Sequence, residues 1–167
     1  MKIKFFYLLT FSFLLYLSNW AQTVQPDGIT MEQTIEFLNN KLGKDFKLEL
    51  AHKNMQLIIN FYKNSVLYKI DRVFLGTLDT AKVSFSNEEK SLILRCRNAD
   101  ELEGKFKKFK DGCIEREIID KNLIGNYGRT SIEAGTEKKK IASLQKAFVH
   151  LAKLAQDEEY SSNIPFE

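Results

Sequence analysis

Thr136–Gln156, reading TEKKKIASLQKAFVHLAKLAQ, is the stretch on which the fold turns. Ile141, Leu144, Phe148, Leu151 and Ala155 recur at spacings of three and four, so they share one stripe of a helix. Ala147 widens the stripe and Leu154 extends it, while Lys140, Gln145, Lys146 and Lys153 occupy the other face. Thr136 is placed to cap the start, since its hydroxyl can accept from an unpaired backbone amide. Such a helix must lay its apolar stripe against something. What precedes it has mostly the alternation of strands, so the helix reads as a lid on a curled β-sheet.

The N-terminal segment is of another kind. Lys2 and Lys4 precede Phe5 to Leu17, an apolar run broken only by Thr10 and Ser12, and Ala21 follows a polar Ser18-Asn19. That order is the order of an export signal over residues 1–21, too short for a comfortable membrane span. The expected products are a flexible mature N-terminus at 22–29, one domain at 30–156 and a C-terminal tail at 157–167. The location expected is the periplasm or the exterior. Removing Lys2 and Lys4 from 25 basic residues, against 22 acidic ones, leaves a formal charge of +1. The mature charge therefore gives no warrant for nucleic-acid binding. Pro26 and Pro165, the only prolines, bracket the expected domain.

Thr30-Met31-Glu32-Gln33 has the form of a capping box. Met31, Ile35, Leu38 and Leu42 then form a helical stripe that Gly43 ends, predicting a helix over 31–42. Beyond Gly43 the period changes to two. Phe46-Leu48-Leu50, Leu57-Ile59-Phe61, Val66 to Phe74, Ala81-Val83-Phe85 and Leu92-Leu94-Cys96 read as five strands of an antiparallel meander. Cys113 to Ile119 reads as a sixth strand and Arg129 to Ala134 as a seventh, with a turn-rich 121–128 between them. Residues 98–110 admit two readings, a strand paired through Asp111-Gly112 or a long mobile loop.

About seven antiparallel strands closed by a C-terminal helix resemble the pleckstrin-homology-like barrel, an α+β fold in which the helix plugs one open end. More narrowly, the chain resembles uncharacterised exported bacterial proteins of this shape. That likeness rests on Cys96, Cys113-Ile114, Leu144 with Ala147-Phe148, His150-Leu151 and Pro165-Phe166. The helix at 31–42 is extra to pleckstrin-homology domains, and the last helix lacks their tryptophan. The resemblance implies lipid, peptide or protein binding alike, and so transfers little function.

Cys96 and Cys113 are the only cysteines. Joined, they would close a loop around 98–110, worth about 3 kcal/mol in the loop-entropy model. Unjoined, they would be two half-buried thiols acting as small hydrophobes. Cys113 with His150 is the sole nucleophilic arrangement available, and a solvated imidazole is its plainer reading. His52 and His150 lie too far apart to supply metal-ligand spacing. Asp71, Asp79, Asp111 and Asp120 read as surface carboxylates. No phosphate-cradling glycine loop or nucleophile elbow occurs, so no catalytic, cofactor or metal residue is expected.

Lys138-Lys139-Lys140 stand where cations oppose a helix dipole, at up to about 1 kcal/mol for each poorly placed charge. Lys105, Lys107, Lys108 and Lys110 form a second basic run, interleaved with Phe106 and Phe109. Brought together, these residues would make a face for phospholipid headgroups or an acidic envelope polymer; apart, they are solvated clusters. Glu158-Glu159 follow the last helix and should end it poorly, since acids at a helix C-terminus oppose its dipole, and a polar spacer then leads to an apolar Ile164-Pro165-Phe166. The expectation is an exported, non-enzymatic binding or interaction domain of the cell envelope. Its partner would be a protein or an anionic envelope component, with peripheral membrane contact. A carrier of a small apolar ligand in a helix-gripped β cavity competes with it, and a Cys-His hydrolase stands third.

Overall fold

The computed structural model describes residues 28–161, without the side chains of residues 105 and 158–161. The expected export signal, most of the 22–29 segment and the Ile164-Pro165-Phe166 end lie outside the described residues. The fold begins at α1, Met31–Leu42, whose buried residues Met31, Ile35, Leu38 and Leu42 are the expected stripe. Gly43, at φ +87°, turns the chain out of the helix and donates its N–H to the Asn39 carbonyl.

Eight strands follow: β1 Phe46–Ala51, β2 Gln56–Lys63, β3 Val66–Phe74, β4 Ser84–Ser86, β5 Ser91–Arg95, β6 Ile114–Ile118, β7 Leu123–Tyr127 and β8 Arg129–Glu133. All pairings are antiparallel. They form two open sheets, one ordered β1-β2-β3-β6-β7 and one ordered β4-β5-β8. The closed, seven-stranded barrel expected from the sequence is therefore replaced by two open sheets of eight strands, and the simple meander by two crossovers. The chain leaves the larger sheet after β3 and returns at β6, and β8 joins β5 across the intervening β6–β7 hairpin.

Local chemistry explains most of the turns. Asn64 and Ser65, at φ +52° and +63°, make the left-handed pair that joins β2 to β3. Past Phe74 the chain folds into short 3-10 turns at Leu75–Thr77 and Thr80–Lys82, so the expected strand at 81–85 shrinks to β4. Residues 98–110 are neither strand nor extended loop; they form 3-10 turns at Ala99–Glu101 and Gly104–Phe109. The first closes through reciprocal bonds between Asn98 and Glu101. β7 lies inside the segment read as turn-rich. Leu-Ile-Gly-Asn-Tyr has no apolar alternation to announce a strand, because it is an edge exposed along most of its length.

The last helix, α2, runs Lys138–Ser161. The Glu137 carbonyl accepts the Ile141 N–H, so Glu137 rather than Thr136 stands at the cap position. The helix also continues through Glu158 and Glu159 instead of ending before them. Ile141, Leu144, Phe148, Leu151 and Ala155 are buried in one cluster with Leu57, Val73 and Ile114 of the larger sheet and Leu92, Leu94 and Ile132 of the smaller. Two glutamines pin α2 to the turns beneath it, Gln145 donating to the Val83 carbonyl at 3.4 Å and Gln156 to that of Leu78 at 3.1 Å.

Candidate functional site

The pleat of β3 sends Lys69, Asp71 and Val73 to the inner face of the larger sheet. Val73 continues into the apolar core, but Asp71 is equally buried, with no exposed surface. Arg116, its cross-strand partner on β6, forks onto it with Nε to Oδ1 at 2.7 Å and a terminal nitrogen to Oδ2 at 2.8 Å. Thr130, from the opposite sheet, donates its hydroxyl to Oδ2. Lys69 Nζ lies 3.7 Å from the same carboxylate and 3.5 Å from the Phe61 ring centre, and the Arg116 guanidinium lies 4.5 Å from that of Tyr127.

The surface assignment of Asp71 is thus overturned. A buried carboxylate persists because three elements supply it with a bidentate cation, a hydroxyl and a second cation. The hydrogen bond to Asp71 holds the Arg116 guanidinium above its usual range. Burial pushes the Lys69 amine down, with the Asp71 charge acting against it. Burial and the Asp71 charge push the Tyr68 phenol up. The carboxylate's bonds are spent inside the protein, so this cluster joins the two sheets rather than presenting a reactive group. Sequence reasoning missed it, although Asp71 shares the inward parity of Val73, and Arg116 that of buried Ile114.

Cys96 and Cys113 form a disulfide, with Cα atoms 5.7 Å apart. The Cys113 sulfur is therefore bonded, not a thiolate, and the Cys113–His150 nucleophile does not form. The bond ties the end of β5 to the start of β6. Beside it opens a cleft of about 570 Å³. Lys82, Arg95, Arg97, Lys110 and Arg129 line it, with Asp111 the one carboxylate in its wall. Lys82 is paired with Asp79 at 2.8 Å, and Arg129 with Glu89 at 2.6 Å. Arg95 and Arg97 have no carboxylate within ion-pair distance among the described residues. Gly112, at φ +127°, closes the floor of the cleft: a Cβ there would meet the Tyr127 backbone at 2.4 Å.

The lysine runs fare differently from one another. Lys107, Lys108 and Lys110 are exposed, and Lys110 enters the cleft. Lys138 and Lys139 are exposed and Lys140 half-buried at the opening of α2, outside the cleft. Phe109 is not an exposed apolar contact, because its ring packs on Phe74 with centroids 4.2 Å apart. Phe106 is half-buried. Among the remaining acids, Asp79 caps the 80–82 turn by accepting the Ala81 N–H, whereas Asp111 and Asp120 are exposed. His52 is exposed beside Glu32, at 3.3 Å. No group of three or more metal-ligating side chains is gathered among the described residues, and no helix among them is long and apolar enough to cross a membrane.

No family model, curated protein or solved structure matches this chain.

Proposed function

We propose that this chain is an exported, non-enzymatic binding domain of the cell envelope that takes anionic groups in the cleft beside the Cys96–Cys113 disulfide. The observation that carries the reading is the charge balance of that cleft. Arg95 and Arg97 have no carboxylate partner there, Lys110 adds to them, and Asp111 alone opposes. Cations of the same sign held together repel one another at a cost that an incoming anion removes. The planar guanidinium fork fits carboxylate and phosphate oxygens with paired bonds. The disulfide holds both walls, since Arg97 follows one of its cysteines and Gly112 precedes the other.

This reading keeps the anionic partner expected from the sequence but moves its centre. Lys110 is the member of the expected lysine face that contributes, and Lys138, Lys139 and Lys140 serve as solvated charge. In architecture we take the two curled sheets and packed helix as pleckstrin-homology-like in general plan, with open rather than closed sheets. The carrier reading draws no support from the interior, where Phe148, Leu144 and Leu151 fill the space under α2 without exposure.

The test measures binding of the full chain to long-chain polyphosphate and to vesicles rich in an anionic phospholipid, at low and moderate salt. Arg95→Gln with Arg97→Gln should weaken binding at least about tenfold, at about 1 kcal/mol for each lost cation near an anionic surface. Lys138, Lys139 and Lys140 all changed to Gln should leave most of it. Parent binding that is absent, or that follows the three lysines and not the two arginines, refutes the cleft.

A further inference from the structure

The two sulfurs of the Cys96–Cys113 bridge stand in unlike surroundings. Cys113 is 1% exposed in the core, whereas Cys96 is half-buried and lines the cationic cleft. Lys82, Arg95, Arg97, Lys110 and Arg129 line that cleft with it, and Asp111 is the carboxylate in the wall. Two of the cations are already paired, Lys82 with Asp79 and Arg129 with Glu89. The Cys113 N–H donates to the Cys96 sulfur at 3.0 Å. The Tyr127 carbonyl, an acceptor for a protonated thiol, lies farther from that sulfur at 3.6 Å. The backbone donor and the surrounding cations both favour Cys96 as a thiolate once the bridge opens, while burial favours Cys113 as a neutral thiol. Each cysteine is also anchored by its own backbone. The Cys96 N–H donates to the Gly128 carbonyl at 2.9 Å, and the Cys113 carbonyl accepts from the Phe74 N–H at 3.1 Å. Opening the bridge therefore leaves the two sulfurs within reach of each other.

We infer that Cys96 is the exchanging sulfur of a reversible thiol–disulfide couple whose partner is a small thiol bearing carboxylates. The incoming thiolate bonds to Cys96 Sγ. The Sγ–Sγ bond breaks, and its electron pair leaves on Cys113 Sγ, which takes up a proton. A second thiolate then attacks the small molecule's sulfur in the mixed disulfide and releases Cys96 as a thiolate. Two small thiols are thereby oxidised to one disulfide, and the protein bridge is reduced. In the reverse direction the Cys96 thiolate attacks the small disulfide and Cys113 closes the bridge. A sulfur of lowered basicity leaves faster, so the cations around Cys96 speed its release. They also draw the carboxylates of the small thiol into the cleft. The inference uses the same cations as the anion-binding reading. Polyphosphate binding leaves the sulfurs untouched, however, so either can fail without the other.

Alkylation of the reduced full chain, mapped by mass spectrometry across pH and salt, tests this. Cys96 should reach half its limiting rate at least about one pH unit below the value near 8.5 of a free thiol, and Cys113 should label slowly. Iodoacetate, an anion, should gain on neutral iodoacetamide at low salt and lose that advantage as salt rises. Glutathione should open the bridge of the oxidised chain faster at low salt than at high, and its mixed disulfide should sit on Cys96. Arg95→Gln with Arg97→Gln should raise the half-rate pH and remove the preference for iodoacetate. The parent's own profile needs no substitution, so a variant that fails to fold leaves the test intact. Three outcomes would overturn the inference: Cys96 titrating as a free thiol does, Cys113 labelling first, or a bridge that reduced glutathione leaves closed at every salt concentration. Polyphosphate binding alongside any of these would keep the anion site and remove only the exchange.

Discussion

Asp71→Asn removes one charge from the interior and almost no volume, so its effect isolates the electrostatics of the cluster joining the two sheets. In the parent the carboxylate has no exposed surface and accepts from Arg116 twice and from Thr130 once. The amide leaves Arg116, whose side chain is 19% exposed, facing a group that can no longer neutralise it. Breaking a buried pair by removing one partner costs about 3–5 kcal/mol. Lys69, 3.7 Å away, is relieved of nothing by the change, because it too loses its counter-charge. For a domain of this size each kcal/mol moves the midpoint by about 3 °C, so Tm should fall by about 10–15 °C. Urea titration of the full chain, read by tryptophan-independent circular dichroism, supplies the free energy directly. Arg116→Met should cost a similar amount by stranding the carboxylate. Asp71→Asn combined with Arg116→Met should be less destabilised than the sum of the two charge-stranding variants, since a pair removed together leaves neither ion of that pair unmatched. An Asp71→Asn protein within about 1 kcal/mol of the parent would refute the reasoning, and so would strict additivity in the cycle.

Phe148→Ala should cost about 3–5 kcal/mol, because the ring is fully buried between α2 and both sheets; a melt within a degree or two of the parent would remove α2 from the core. Gly112→Ala should cost about 2 kcal/mol or more in urea titration, since the residue stands at φ +127° with the Tyr127 backbone 2.4 Å from the added carbon. A neutral substitution there would mean that the 109–112 turn is free to move. Acid titration tests Asp79. Burial raises its carboxyl, but the hydrogen bond from Lys82 and the Ala81 amide outweigh that, leaving it below the usual carboxylate range. A folded-state value below the unfolded one adds stability that is present above the unfolded value and lost as pH falls through the folded one. Asp79→Asn should therefore flatten the loss of stability below about pH 4, and an unchanged acid limb would contradict the cap.

Local periodicity was enough for the two helices and for most of the strands. The stripe Met31-Ile35-Leu38-Leu42 and the stripe from Ile141 to Ala155 each report one buried face, and α1 ends at the glycine that the pattern marks. β1, β2 and β3 follow their alternation with tight turns between them. In each case the residues that specify the element lie within one or two turns of chain, where propensity and patterning act directly.

What lay beyond the sequence is long-range pairing. Nothing near Val73 says that β3 will take β6 as its neighbour, or that β8 will cross to β5, and those choices open the barrel into two sheets. They also put Arg116 opposite Asp71 and Thr130 above it, turning an ordinary-looking acid into a buried link. β7 was invisible for the same reason, because an exposed edge has no apolar alternation to display and is defined only by the strand that β6 offers it. The disulfide stood as one of two possibilities until the fold set the cysteines' Cα atoms 5.7 Å apart. The cationic cleft exists because that bond gathers residues from the end of β5, the 109–112 turn and the start of β8. Charge in a sequence is a tally, but the energy of charge depends on separation and burial, and only the tertiary structure assigns those.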